Sequence, residues 1–284
     1  MPTSDNTDVR GRQPEPQMAI LVVSCDNYSD VWPPFFELYL RFWPDCPFNT
    51  YLVSNMKEFS AHGVKTLPVG EDISWSDNLK NALTLIREQY VLVWIDDLFL
   101  LQQVDTSLVQ EVVNEFIAKD GNYLRLNPTV RADLPFNRYF GVVSAGTIYR
   151  TSTVMSLWKK TVLSDLLVAG ESAWDFEVMG TVRSDKLNGF YATWQNMFNV
   201  LNGVIKGKWR NSAYRKIRTL CTDFNANERD VMSFTEELVL KVMIVRSKLL
   251  NLVPPRYRRH LKACVLGKKH TYQLYADGDL KKAP

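Results

Sequence analysis

The sequence predicts an α/β protein: a mixed, mainly parallel sheet flanked by helices, with a helical C-terminal extension. Three observations carry that expectation. Short apolar runs alternate with segments of helical periodicity through residue 150, the pattern of βαβ units. Several runs are apolar at nearly every position, as strands buried on both faces must be. Beyond Asn211 the alternation stops and the chain turns helical and basic.

Residues 1–17, MPTSDNTDVRGRQPEPQ, are polar, lack the apolar stretch of a secretory signal and read as a disordered tail. The folded domain is expected to begin near Met18. AILVVSC (19–25) is a strand that ends in a polar loop at Ser24, Cys25 and Asp26. FFELYLRF suits a helix with Pro34 near its first turn. TYLVSN (50–55) and GVKTLPVG (63–70) read as the next two strands. Leu79, Ala82, Leu83 and Ile86 recur at helical spacing, with Ser76 or Asp77 placed to cap that helix. YVLVWI (90–95) is the most apolar strand, and it delivers Asp96 and Asp97. Leu108, Val109, Val112, Val113, Phe116 and Ile117 share one side of the following helix. NYLRL and GVVSAGTIYR supply later strands, and VMSLWKKTVLSDLLVAG reads as an apolar helix. NGVIKGKW (202–209) reads as a Gly-punctuated basic loop. The expected organisation is a tail over 1–17, a domain over 18–210 and a basic helical extension over 211–284.

The 284 residues are 46% hydrophobic and 23% charged, which supports a substantial core and argues against a disordered chain. Cys25, Cys46, Cys221 and Cys264 are scattered without a CxxC pair. Neither a disulfide framework nor a zinc site is expected, and reduced thiols in a cytoplasmic protein are the default. No apolar run reaches the roughly 18 residues of a membrane-spanning helix. Charge is unevenly distributed. Met1–Gly203 carries 16 Lys+Arg against 24 Asp+Glu, whereas Val204–Pro284 carries 18 against 7. Such asymmetry points the C-terminal part toward something anionic, or makes it a solvated basic face.

Asp96 and Asp97 pose the main chemical question. Adjacent carboxylates at the end of a buried strand repel each other, and a divalent cation reverses that penalty. Oxygen ligation suits Mg²⁺ or Mn²⁺, which bind one or two carboxylates together with substrate phosphates. The plainer alternative has Asp97 capping the next segment and Asp96 paired with a basic residue. Ligands of open α/β sheets sit at the carboxyl ends of strands, where both Ser24–Asp26 and Asp96–Asp97 fall.

VLVWIDDLFLL resembles the DxD-type region of GT-A glycosyltransferases, in the DD-x-FL form found in bacterial polysaccharide-locus transferases. VVSCDNYSDVWPPFF, WPDCP, GEDISWSDNLKNAL, GESAWDFE and NGVIKGKW follow the order seen in such proteins, so the resemblance spans residues 18–210. It implies a GT-A-like, Rossmann-like domain that uses a nucleotide-sugar donor. By that resemblance Ser24, Cys25 and Asp26 hold the nucleoside, Ser76 and Asn78 contact base or ribose, and Asp96 and Asp97 bind the metal. The chain reads DD-x-F where the family motif is D-x-D, which leaves open which carboxylate ligates directly.

An inverting transferase needs a base for the acceptor hydroxyl. The resemblance places it in GESAWDFE, where Glu177, Asp175 and Glu171 are the candidates in that order. Trp174, three residues from Glu177, would stack on a sugar. The alternative is a helical first turn whose acids favour the macrodipole. Lys206 and Lys208 would neutralise the departing diphosphate, with Gly203 and Gly207 as hinges, or form a solvated turn. Arg150 would bind phosphate or pair with a surface acid. His62, His260 and His270 lack metal-ligand spacing, and His270 would reach the site only if the tail folds back.

In the extension, Leu238, Val242, Val245 and Leu249 share a stripe, and PPRYRRHLK adds a basic cluster. They suit an anionic membrane surface at the inner face of the cytoplasmic membrane, or a helix packed on the catalytic domain. Nucleic acid is disfavoured, because basic and aromatic residues are not interleaved on one element. The expected acceptor is a hydroxyl of a cell-surface polysaccharide or lipid-linked glycan. Nucleotidyl transfer to a sugar phosphate is a weaker alternative, because the first strand lacks a Gly-rich phosphate loop. A non-catalytic glycan- or lipid-binding module remains the third.

Overall fold

The computed structural model describes residues 17–222, 224 and 229–250. The sequence-predicted tail up to residue 16, the PPRYRRHLK cluster, Cys264, His260 and His270 lie outside them, as does the side chain of Leu249. The architecture is the mixed, mainly parallel, Rossmann-like α/β sheet that the sequence predicts.

The first half alternates as expected: β1 (Met18–Val23), α1 (Trp32–Phe42), β2 (Asn49–Ser54), β3 (Val64–Pro68), α2 (Trp75–Leu85), β4 (Tyr90–Ile95), β5 (Leu98–Leu100) and α3 (Thr106–Ala118). Then come β6 (Tyr123–Arg125), β7 (Leu134–Pro135), β8 (Phe140–Val142), β9 (Ser156–Lys159), α4 (Lys160–Leu166), α5 (Ala173–Asp175) and α6 (Thr181–Ser184). The described chain closes with β10 (Phe190–Thr193), β11 (Val200–Asn202), β12 (Val204–Ile205), β13 (Lys208–Trp209), α7 (Asn211–Leu220) and α8 (Phe234–Leu250).

Nine strands form one sheet in the order β3-β2-β1-β4-β9-β6-β10-β8-β7. β3, β2, β1 and β4 are mutually parallel, and β6 pairs parallel with β10. Only β9 and β8 run against the other strands of this sheet. Strand alternation divides the core. Ile20, Val22, Leu92 and Trp94 join Phe35, Phe36 and Phe116 on the α1 and α3 face. Leu21, Val23, Val91 and Val93 join Leu79, Leu83 and Leu163 on the α2 and α4 face. α7 buries Ala213 and Ile217.

Four local expectations are corrected. Of GVVSAGTIYR, expected as a strand, only Gly141 and Val142 belong to one, at the end of β8. The segment expected to be one apolar helix after residue 153 begins as β9. Leu157 and Trp158 are buried on opposite faces between β4 and β6, and only the part from Lys160 is helical. The cap of α2 is Ser74, whose hydroxyl accepts from Asp77 N at 3.1 Å, so Ser76 and Asp77 lie within the first turn. NGVIKGKW is a hairpin of β12 and β13, not an open loop. Lys206 and Gly207 form its two-residue turn with φ of 51° and 75°, the left-handed pair of a tight β-turn.

Candidate nucleotide-sugar site

β1 and β4 lie side by side and parallel, but the chain leaves them in opposite directions. From β1 it runs toward β2 and β3, and from β4 toward the half containing β9, β6 and β10. That is the topological switch point, outside whose carboxyl ends a crevice opens. Val23 pairs with Ile95, so the next residues emerge together. Ser24 Oγ donates a short hydrogen bond to Asp96 Oδ2, and Trp32 Nε1 donates to the same hydroxyl at 2.7 Å.

Asp96 is 2% exposed and forms no ion pair among the described residues. Burial, and then the charge of Asp97, hold its carboxyl well above the usual carboxylate range. The Ser24 hydrogen bond and Arg229 act in the opposite sense, and Asp30 adds to the rise. Burial pushes Asp97 up to about 7. Asp96 is shut off from bulk solvent and Asp97 is half-buried beside it.

The chain after β11 closes over this pair. Gly203 N donates to Asp97 O at 2.7 Å. A Cβ on Gly203 would meet the Phe99 ring at 2.4 Å, so this glycine serves close packing. Asn202, one residue earlier, holds a buried Oδ1 without a hydrogen-bond partner among the described residues. Among those residues no group of three or more His, Cys, Asp or Glu side chains is placed to hold a metal ion. Two carboxylates raised by burial suit a cation whose remaining ligands come from a bound diphosphate and water, which is how Mg²⁺ commonly binds. The donor set therefore fits a shared divalent cation and not a closed protein cage.

The first loop is tied down on both sides. Asp26 accepts from Asn55 N at 2.9 Å, Met56 N at 3.0 Å and Lys57 N at 3.1 Å, clamping the exits of β1 and β2 together. Asp30 takes a two-pronged bond from Arg229, at 2.9 and 2.7 Å, and the guanidinium lies 4.2 Å over the Tyr28 ring. Arg229 also donates to Gly207 O at 3.0 Å, joining the hairpin to this loop. Asp26, Asp30, Lys57, Lys206, Lys208 and Arg229 line one cleft. Lys208 is paired with Glu236 at 2.9 Å, whereas Lys206 has no hydrogen-bond or ion-pair partner among the described residues.

Ser76 and Asn78 sit buried in the first turns of α2. Ser76 N donates to Glu171 O at 3.1 Å, Asn78 Nδ2 donates to Asp72 at 2.6 Å, and Ser76 Oγ and Asn78 Oδ1 have no hydrogen-bond partner among the described residues. The acidic segment thus packs against the start of α2. Glu171 makes a two-pronged bridge to Arg183 at 2.7 and 2.6 Å. Asp175 closes a capping box with Ser172. Trp174 is 75% exposed. Glu177 Oε1 accepts from Ser152 Oγ, Thr153 N and Thr153 Oγ1 at 2.8, 2.9 and 3.2 Å. The antiparallel pairing of Val93 with Ser156 puts the residues just before β9 at the same sheet edge as Asp96.

The structure therefore brings Ser24, Asp96 and Asp97 together, and gathers Asp26, Lys206 and Lys208 in the adjoining cleft. Arg150 is buried, donating to the carbonyls of Val143, Ser184 and Leu187 with its guanidinium over the Phe190 ring. His62 is exposed. Cys25, Cys46 and Cys221 are free thiols. Sequence reasoning missed Trp32, Tyr28, Asp30 and Arg229. Trp32 sat in plain view beside the first loop, but Arg229 lies 199 residues from its partner and carries no local signal.

The sheet order defines an open α/β protein, and the acidic crevice at its switch point is the candidate ligand site. No protein-family model matches the chain, and no curated protein matches it. Solved structures similar to it include Staphylococcus aureus TarS, with 13% identity over 92% of this chain and 55% of that one at a TM-score of 0.45. TarS 1-349 in complex with UDP-GlcNAc is similar at 11% identity over 94% and 76% of the two chains, with a TM-score of 0.48. A cytidylyltransferase from Leptospira borgpetersenii is similar at 10% identity over 81% and 96%, with a TM-score of 0.45. The chain spans 55–59% of the first TarS chains it matches.

Proposed function

We propose that the chain is a GT-A-type glycosyltransferase that moves a sugar from a nucleotide-sugar donor to a hydroxyl of a cell-surface polysaccharide or lipid-linked glycan. The observation that carries this reading is the Asp96–Asp97 pair at the β1/β4 switch point, with Asp96 buried and bonded by Ser24 and Asp97 half-buried beside it. Buried acids this short of donors are costly for a fold alone, and they suit a cation that arrives with a ligand.

Asp97, with Asp96 beside it, would hold Mg²⁺ or Mn²⁺, which supplies charge neutralisation for a diphosphate leaving group. Lys206 adds a second positive charge from the neighbouring cleft, and Ser24, Ser76 and Asn78 offer polar contacts for the nucleoside. Glu177 is the favoured base among the three acids. Glu171 is committed to Arg183 and Asp175 to its cap, whereas Glu177 is oriented through one oxygen and keeps Oε2 unpartnered among the described residues. It takes the acceptor proton as the acceptor oxygen bonds to the anomeric carbon and the bond to the diphosphate breaks, which inverts the anomeric centre.

No helix among the described residues is long and apolar enough to cross a membrane. Phe234, Leu238, Val242 and Val245 of α8 are exposed, and the chain from Val204 is strongly basic. Both features support α8 resting on anionic lipid at the inner face of the cytoplasmic membrane, close to a lipid-linked acceptor. Calorimetric titration of UDP- and GDP-sugars with and without Mn²⁺ tests the central claim. Metal-dependent binding that disappears in Asp97→Asn is expected. Nucleotide binding that ignores both metal and Asp97, or no binding at all, overturns it.

A further inference from the structure

Farther along the same sheet edge lies a second cleft of about 610 Å³, beyond the carboxyl ends of β6 and β10. Trp194, Arg131, Gln195 and Asn196 line it. The indole of Trp194 is 48% exposed yet fixed. Its Nε1 donates to Asn137 O at 2.9 Å, and its backbone N donates to Tyr139 O at 3.1 Å. Its ring rests on Gly141, where a Cβ would come within 2.4 Å of it, so the glycine is the seat of the ring. Arg131, Gln195 and Asn196 are exposed, and their side chains have no hydrogen-bond or ion-pair partner among the described residues.

We infer that this cleft is a subsite for a glycan chain. A pyranose presents an apolar C–H face and a rim of hydroxyls. A rigid exposed indole offers the first a matching surface at low conformational cost, and an unpaired guanidinium and two primary amides supply bonds to the second. Trp194 carries the stacking, and Arg131, Gln195 and Asn196 orient the ring.

The placement says which glycan. β10 is three strand spacings from β4, about 14 Å along the sheet edge. Residues 194–203 run from the cleft to the acidic pair, anchored by Met197 N to Leu126 O, Leu101 N to Asn199 O and Gly203 N to Asp97 O. On the transferase reading, the sugar held at Trp194 belongs to the acceptor, several units from the end being extended. The acceptor is then an oligosaccharide or polymer and not a single sugar.

An array of neutral and acidic oligosaccharides, probed with the full chain, tests this. Wild type is expected to retain at least one glycan class, and Trp194→Ala to weaken it about tenfold or more, as loss of an aromatic anchor does. Because Trp194 also packs on Gly141, the exposed double variant Arg131→Ala/Gln195→Ala tests the same cleft without disturbing that seat. Loss of the same glycans is expected there too. A wild type that binds no glycan, or variants that bind every glycan as wild type does, overturns the subsite. Nucleotide-sugar calorimetry on the same proteins separates the two claims. Trp194-dependent glycan binding without donor binding upholds the subsite and sinks the transferase, and donor binding without glycan binding does the reverse.

Discussion

β4 carries a buried acid beyond each of its ends, and the two are treated differently. Glu88, before the strand, is 7% exposed and fully engaged. It accepts from Asn49 Nδ2 at 2.7 Å, Tyr51 OH at 3.2 Å and Arg87 N at 3.1 Å. Asp96, after the strand, is still more buried, accepts one side-chain hydrogen bond and has a second carboxylate next to it. A fold that needs a buried carboxylate surrounds it with donors, as at Glu88. On the proposed reading, the shortage of donors at Asp96 leaves that end of β4 to a ligand and its cation.

Substitution at both ends gives the widest contrast. Asp97→Ala is expected to remove metal-assisted charge neutralisation worth several kcal/mol, about a thousandfold or more in turnover, while unfolding temperature holds or rises. Glu88→Gln should leave turnover alone and cost about 1–3 kcal/mol, because one buried donor loses its acceptor. Turnover and thermal melts on both variants check the contrast. A turnover defect in Glu88→Gln matching that of Asp97→Ala would erase it.

The second contrast lies within the acidic segment that packs on α2. Glu177→Gln keeps the shape but removes the proton acceptor, and turnover should fall about 10²–10⁴-fold with donor affinity unchanged. Asp175→Asn retains a capping side chain and should alter stability by a few tenths of a kcal/mol, with little effect on rate. Initial rates against donor concentration distinguish the two.

The pH dependence follows from burial. The Asp97 carboxyl is raised from 3.8 to about 7 in the folded chain, so the folded state holds that proton more tightly than the unfolded state. Stability from this group is therefore present at low pH and lost as pH rises from about 4 to about 7. The loss amounts to about 4 kcal/mol at 1.36 kcal/mol per pH unit. Asp96 shifts in the same direction. Denaturant melts without metal should show this decline, Asp97→Asn should show less of it, and Mn²⁺ should offset it above pH 7 by binding the ionised form.

Much of the fold was legible because β1 and β4 are nearly continuous apolar runs, while α2 and α3 between and after them carry apolar residues at helical spacing. β9 was misread because its four residues, Ser156–Lys159, join directly to a helix, and a short buried strand has no period of its own. The acid pair could be read from its position after β4. What surrounds it could not, since Trp32 reaches Ser24 through a helix turn and Arg229 reaches Asp30 across most of the chain. The hairpin turn at Lys206 and Gly207 did have a signal, the two-residue K-G step between short apolar–basic runs, but its basic charge drew the reading toward a phosphate loop.

The smallest expected effect tests whether the carboxyl end works as a relay. Trp32 Nε1 donates to Ser24 Oγ, and that hydroxyl donates to Asp96. With its one hydrogen directed at Asp96 and a lone pair taken by Trp32, the hydroxyl cannot rotate away without breaking two bonds. Trp32→Phe keeps a buried ring and removes only the upper donor, so it should cost about 1 kcal/mol of stability. The same free energy, expressed as looser orientation of Ser24 and Asp96, corresponds to about a fivefold loss of Mn²⁺-dependent donor affinity. Tyr51→Phe removes a comparable bond from Glu88 at the other end of β4 and should shift stability by a similar amount, leaving donor affinity unchanged. Equal losses of affinity in the two variants would mean that the ends of β4 differ in donor count and not in purpose.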